Sequence, residues 1–369
     1  AFMMAGTGIA LYTGLMYWLA LGPAFVIGWL GLRNLRGLYF LLLFTIPLSA
    51  EVQLTERLGT DLPDEALMWL LTILLGLFAL SYRKRIAEKK ADRTLFYLLM
   101  AHFGWIIITA CLSPDPLLSF KYLAAKAWYL VAFAGGSWWL LRSAADLRRV
   151  AWLLILPMTL ACMYILWTHG QSGYSFDSVN AAVQPFFRNH VNYSALLVCL
   201  FPIAVALFIL QPRYRFLVLV ILLTWITALV FSYSRGAWVA AGVGMVTAMA
   251  IRWRALTAAI FFSLATVVLL LIFFLRDNRY LDYRPDFERT IYHQAFREHL
   301  QATYRLKDLS TAERFHRWIA GTRMVSEAPF FGHGPNRFYP EYRPYTVSAF
   351  RTYVSDNPEG SGVHCYFLM

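Results

Sequence analysis

Charged side chains are scarce in this sequence, at 15% of 369 residues, while hydrophobic residues make up 59% and aromatic ones 17%. A soluble domain carries about 25% charged residues, so the deficit excludes a large soluble protein built around one core. Cysteine is equally sparse: Cys111, Cys162 and Cys199 lie in apolar runs and Cys365 lies near the end. No CxxC or His/Cys spacing occurs, which excludes a zinc ribbon and a disulfide framework. Paired acidic motifs of the metal-binding kind are missing from the polar regions, where Glu313 and Glu327 fall on a helix face and Asp356 and Glu359 in a loop. Neither a metal nor a cofactor is indicated. The net charge of +12 does not point to nucleic acid. Its positives fall in short clusters between apolar runs, the pattern of membrane topology signals rather than of a basic face.

What the chain has instead is a succession of apolar runs of about 20 residues, the length that crosses a bilayer as a helix. About ten spans are predicted, at 7–31, 37–50, 66–82, 94–112, 119–141, 150–168, 191–210, 216–232, 236–251 and 255–275. The run at 37–50 is short and is expected to continue past Pro47. The fold class is therefore an all-α, polytopic transmembrane helical bundle. It divides into a bundle at 1–275, a polar loop at 276–363, and the start of a further transmembrane helix at 364–369.

Arg33/Arg36, Arg83-Lys84-Arg85 with Lys89-Lys90, Arg142 with Arg148-Arg149, Arg213/Arg215 and Arg252/Arg254 occupy every second connection. The alternate connections are acidic or neutral: Glu51 to Glu65, Ser113 to Pro116, Thr168 to Asn189, and Ser232 to Ser234. Basic loops mark the cytoplasmic side, which places the 276–363 loop outside. Ten spans before an external loop also put the N-terminus outside. A chain that opens on Ala1 and stops within an apolar run is expected to lack residues at both ends, one helix upstream included. A first segment that does not cross is the other account.

The external loop carries helical patterns of its own. Ser310-Thr-Ala-Glu313 reads as a capping box, opening a helix with Phe315, Trp318, Ile319, Thr322 and Val325 at 3–4 spacing and closed by Pro329. Residues 286–307 mix apolar and charged positions as an amphipathic helix lying on the membrane or the bundle does. Gly332-His-Gly-Pro-Asn336 is a turn.

Several cations stand on the side where the topology rule disfavours them. Arg235, in Ser232-Tyr-Ser-Arg-Gly236, precedes a helix whose free amides favour an anion. A guanidinium there suits phosphate oxygens, or it snorkels to the interface. Arg188, beside Asn189, His190 and Asn192, is a ligand candidate or an ordinary polar loop residue. Arg314 and Arg317 lie one turn apart on the external helix, Arg314 also at i+4 from Trp318. They read as phosphate ligands, Arg314 first, or as a solvated face. Lys126 sits deep within a span, where a cation faces the bundle interior or a cavity, whereas Lys121 can snorkel. His364 marks the junction of polar loop and membrane, where its near-neutral pKa suits it to accept a proton from a sugar hydroxyl. His333, Asn336 and His316 are weaker candidates.

Taken together these elements resemble the bacterial O-antigen ligase and O-antigen polymerase superfamily. The likeness covers roughly 187–368 and the general layout of helices upstream. It is carried by Phe187-Arg-Asn-His-Val-Asn192, by Ser232-Tyr-Ser-Arg-Gly-Ala-Trp-Val-Ala240 with Val239 where leucine is common, and by Glu313-Arg-Phe-His-Arg-Trp318. Glu327-Ala-Pro-Phe-Phe-Gly-His-Gly-Pro-Asn-Arg-Phe338 and His364-Cys-Tyr-Phe-Leu368 complete it, the latter with Cys365 in place of the usual asparagine. The resemblance implies a GT-C-like, metal-independent glycosyltransferase of the bacterial inner membrane, with its active site on the periplasmic face. Arg188, Arg235 and Arg314 would hold the pyrophosphate of an undecaprenyl-linked glycan, and His364 would activate the hydroxyl of a lipid A–core acceptor. A polymerase would use the same machinery on another lipid-linked repeat. A lipid-linked glycan flippase is the rival of another class, but such transporters show internal repeats, and none is visible here.

Overall fold

The computed structural model describes residues 28–29, 31–55, 58–81, 93–277, 279, 309–352, 355, 362–363 and 365. In chain order the helices are α1 (Leu35–Thr45), α2 (Asp64–Ser81), α3 (Arg93–Cys111), α4 (Pro116–Tyr129), α5 (Gly136–Leu140), α6 (Ala144–Gln171), α7 (Val179–Ala182) and α8 (His190–Leu210). They continue with α9 (Arg215–Phe231), α10 (Arg235–Arg252), α11 (Leu256–Leu275), α12 (Leu309–Glu327) and α13 (Phe338–Glu341). Among the described residues one antiparallel hairpin, β1 (Ala50–Thr55) and β2 (Leu58–Leu62), interrupts this all-α order. The expected span at 7–31 lies almost wholly outside the described residues, as do the amphipathic segment 286–307 and His364.

Among the described residues, seven helices are long and apolar enough to cross a bilayer, including α6, α8 with a mean hydropathy of 2.6, and α11 with 2.7. On α11 the side chains of Phe261, Phe262 and Leu269 are about two-thirds exposed, and none of its apolar window is buried. Apolar surface on that scale needs lipid against it. The helix α10 covers the expected 236–251 run but is not among the seven.

Two corrections concern the chain around Pro47. The helix there does not continue: α1 ends at Thr45, a 3-10 turn spans Ile46–Leu48, and Ser49 turns extended. The acidic connection from Glu51 to Glu65, expected as a loop, is the hairpin. Its sequence Ala50-Glu-Val-Gln-Leu-Thr55 alternates polar and apolar positions with the period of a strand.

By its contacts the chain falls into two compact units, 1–91 with 127–242, and 92–126 with 243–369. The first holds two cores. One joins α6, α8 and α9 through Ile155, Met158, Leu197, Ile221 and Trp225, whose indole Nε1 donates to Thr159 Oγ1 at 3.1 Å. The other joins α1, α2 and the stretch 130–140 through Leu42, Leu71, Leu75 and Ala132, with a π-helical turn at Leu130–Gly135. The helix α6 opens with a capping box, in which Ser143 Oγ accepts from Asp146 N and the Asp146 carboxylate accepts from Ser143 N. That carboxylate, almost fully buried, also pairs with Arg36 of α1. Capping of this kind is worth about 1 kcal/mol, and here it also fixes α1 against α6.

The second unit is built on the turn between α3 and α4. Ser119 Oγ donates to Pro335 O at 3.0 Å, Arg337 Nη1 lies 3.4 Å from Asp115 Oδ2, and Trp105 stacks on Phe331 at 5.7 Å. Gly334, at φ +96°, fits because it has no side chain: a Cβ there would lie 2.5 Å from Ser113 Oγ. A small core of Ala320, Met324 and Tyr342 packs α12 against the segment after α13.

Candidate functional site

The cations singled out from the sequence occupy three kinds of environment. Arg188 immediately precedes α8, whose N-cap is Asn189: its side-chain oxygen accepts from Val191 N at 3.1 Å and from Asn192 N at 2.9 Å. That cap accounts for Asn189 on structural grounds. Asn180 does the same for His190, accepting from its backbone N–H and lying 2.8 Å from its Nδ1. Arg188 itself reaches the hairpin, with Nε 2.9 Å from Glu51 Oε2 and Nη2 3.8 Å from Asp61 Oδ1. Glu51 and Asp61 are directly opposite each other across the two strands. Like charges so placed repel, and the guanidinium between them relieves that repulsion. Burial pushes the Asp61 carboxyl above the usual range; Arg188 opposes the shift, while Glu65 and Glu51 add to it.

Arg235 is the first residue of α10 and is half-buried. The tight turn before it is set by Ser232 Oγ donating to Leu229 O at 2.7 Å, by Tyr233 at φ +53°, and by Ser234, whose carbonyl accepts from Ala237 N and Trp238 N. Tyr233 donates its hydroxyl to Tyr174 O at 2.6 Å, and its ring meets Phe176 edge-on at 5.6 Å. Phe176 in turn meets the His190 ring at 6.0 Å. These contacts hold the connection before α8 and the connection before α10 on one end of the first unit. Arg188 and Arg235 therefore stand at the same end, where the sequence placed the non-basic connections.

In the second unit, α12 separates two arginines that sequence spacing left alike. Arg314 is exposed. Arg317 is buried and pairs with Glu313 at 3.4 Å, both side chains only 9% exposed. Glu313 Oε1 also accepts from the hydroxyls of Thr352 and Ser355. The Ser310 side chain of the expected capping box lies outside the described residues, while the Glu313 carboxylate is engaged by Thr352 and Ser355. His316 is buried against the Tyr342 ring, and burial lowers its pKa.

His333 packs edge-on against Tyr345 at 5.7 Å with its Nε2 buried and unpartnered. Asn336 is exposed in the left-handed region at φ +62°, which asparagine tolerates. Lys126 is exposed, its Nζ 5.3 Å from the Tyr122 ring centroid. His364 lies outside the described residues. Sequence reasoning passed over Arg337, a half-buried cation held between Asp115 and Glu341. Its i+4 spacing to Glu341 was the available signal.

Residues 218–358 match the family model described as O-antigen ligase, a segment that contains both Arg235 and Arg314. Neither a curated protein nor a solved structure matches the chain. The apolar helices make this a multi-pass membrane protein, and its segment 218–358 is similar to the O-antigen ligase family.

Proposed function

We propose, from the match of residues 218–358 to the O-antigen ligase family model, that the protein is a metal-independent glycosyltransferase. It moves a glycan from undecaprenyl pyrophosphate to a hydroxyl of lipid A–core. The reaction takes place on the periplasmic face of the bacterial inner membrane. The observation that carries the reading is the family match running through Arg235 and Arg314, with Arg188 brought to the same end of its unit as Arg235.

The chemistry follows from what these residues can do. The acceptor oxygen attacks the anomeric carbon as the bond from that carbon to the pyrophosphate oxygen breaks, inverting configuration. The acceptor proton passes to the His364 imidazole, and undecaprenyl pyrophosphate leaves. Negative charge grows on the leaving group in the transition state. Guanidinium groups of Arg188, Arg235 and Arg314 offset it through charge-assisted hydrogen bonds. Lys126, Arg317, His333 and Asn336 remain weaker candidates; of these, Arg317 already serves Glu313.

The test is transfer in vitro, with purified protein, a chelator, and an undecaprenyl-pyrophosphate glycan offered to lipid A–core. Product formed with the chelator present and lost in Arg235→Ala and His364→Ala is the expected result. Longer lipid-linked chains in place of the lipid A–core product would make the protein a polymerase. Full activity in His364→Ala would remove the base. No transfer to either acceptor would overturn the proposal and turn attention to transport.

A further inference from the structure

A second group of cations lies at the opposite end of the first unit, away from Arg188 and Arg235. There a cleft of about 560 Å³ opens between α1, the first turns of α6 and the end of α8, lined by Phe40, Arg148, Arg149, Trp152, Leu153 and Gln211. It is open to the surface, and its lining is mostly apolar with the side chains of Arg148 and Arg149 among it. Trp152 is braced edge-on by Tyr214 at 5.6 Å, and the Arg213 guanidinium lies over the Tyr214 ring at 5.9 Å.

Among the residues that line this cleft, Arg148 and Arg149 are charged and none is acidic. On the same turn of α6, the buried Asp146 carboxylate is taken up by Arg36 and by the backbone N–H groups of Arg142 and Ser143. Arg149 reaches it only at 3.9 Å and stays 65% exposed. Arg148 is exposed beside it. Arg215, the first residue of α9, gives its Nε to Phe208 O at 3.4 Å. Next to the cleft, Leu147, Phe216 and Leu217 present apolar side chains outward. Guanidinium pairs above an aromatic and aliphatic floor, at the end of spanning helices, match a phosphate with acyl chains beneath it.

We propose that this cleft is a binding site for an anionic phospholipid. Arg148 and Arg149 hold the headgroup phosphate, Gln211 donates to the ester or glycerol oxygens, and the upper acyl carbons lie on Trp152, Leu153 and Phe40. The site does not depend on the transfer reaction, so its failure and that of the transfer reading are separable.

The experiment is native mass spectrometry of the full chain released from nanodiscs of equal phosphatidylglycerol and phosphatidylcholine. The wild type is expected to retain phosphatidylglycerol in preference. Arg148→Gln/Arg149→Gln should lose about thirtyfold of that preference, whereas Arg254→Gln, between α10 and α11, should keep it. A photoactivatable residue at Gln211 in the otherwise unchanged chain should cross-link phosphatidylglycerol, which covers the case where the double variant does not fold. Equal retention of the two lipids, an unchanged double variant, or no cross-link at 211 would each overturn the proposal. Release of the bound lipid by millimolar inorganic phosphate would overturn it as well, making the cleft a site for soluble phosphate.

Discussion

Replacing Glu313 with alanine should loosen the segment 342–352 without unfolding the first unit. In the structure this carboxylate is the counter-charge of buried Arg317 and the acceptor for the Thr352 and Ser355 hydroxyls. Removing one partner of a buried pair costs roughly 3–5 kcal/mol, because the other charge stays behind without solvent or partner. The two hydroxyls lose an acceptor too, but they lie 3.2 Å apart and can satisfy each other in part. The ion pair therefore sets the scale. Since each 1.4 kcal/mol is a factor of ten, amide hydrogen exchange in residues 342–352 should speed up by roughly a hundred- to several thousand-fold where local opening governs it. Exchange in α6, α8 and α9 should not change. The double variant Glu313→Ala/Arg317→Met should recover most of the protection, because the stranded charge is gone and an apolar side chain replaces it. Unchanged exchange in Glu313→Ala, or a double variant that loses more than the single one, would refute the reasoning.

Three further outcomes are expected. Gly334→Ala should destabilise the 328–337 segment by about 1–3 kcal/mol, since a side chain there meets Ser113 and strains a left-handed residue; limited proteolysis after Phe331 would report it. Glu51→Gln/Asp61→Asn should free Arg188 and, if it holds the donor pyrophosphate, lower the KM for donor several-fold in the transfer assay; a raised KM would mean the hairpin acids orient that arginine instead. Because burial lowers the His316 pKa, the unfolded chain binds its proton more readily. Stability of the second unit should therefore be full above about pH 6.5 and fall as pH drops through and below that value, and His316→Gln should flatten the slope in a pH series of thermal melts.

The membrane helices were legible because a bilayer demands about 20 apolar residues and tolerates little else. The capping box of α6 begins its helix several residues before the apolar run and so shifts the boundary from 150 to Ala144. The hairpin was misread for a different reason. Its charges drew it into the pattern of alternate acidic connections, although its two-residue alternation was visible. At the site, Arg188 and Arg235 stood out as cations on the disfavoured side. The carboxylates that engage Arg188 lie more than a hundred residues upstream, and no local spacing points to them. Arg314 and Arg317 are only about 60° apart around a helix. Which of them is buried depends on where Thr352 and Ser355 dock, and that is long-range packing rather than periodicity.

The joining of Ser119 to Pro335 has a consequence for biogenesis. The two partners are 216 residues apart, and at about 5–20 residues per second a ribosome needs roughly 10–40 s to make the chain between them. Throughout that interval the α3–α4 turn has been inserted, with Ser113, Asp115 and Ser119 still waiting for the segment that completes them. The helices α6, α8 and α9 can meanwhile pack on one another. A chaperone or insertase that shields a polar turn would find its client here, early in synthesis, and would be released only when the last third of the protein arrives.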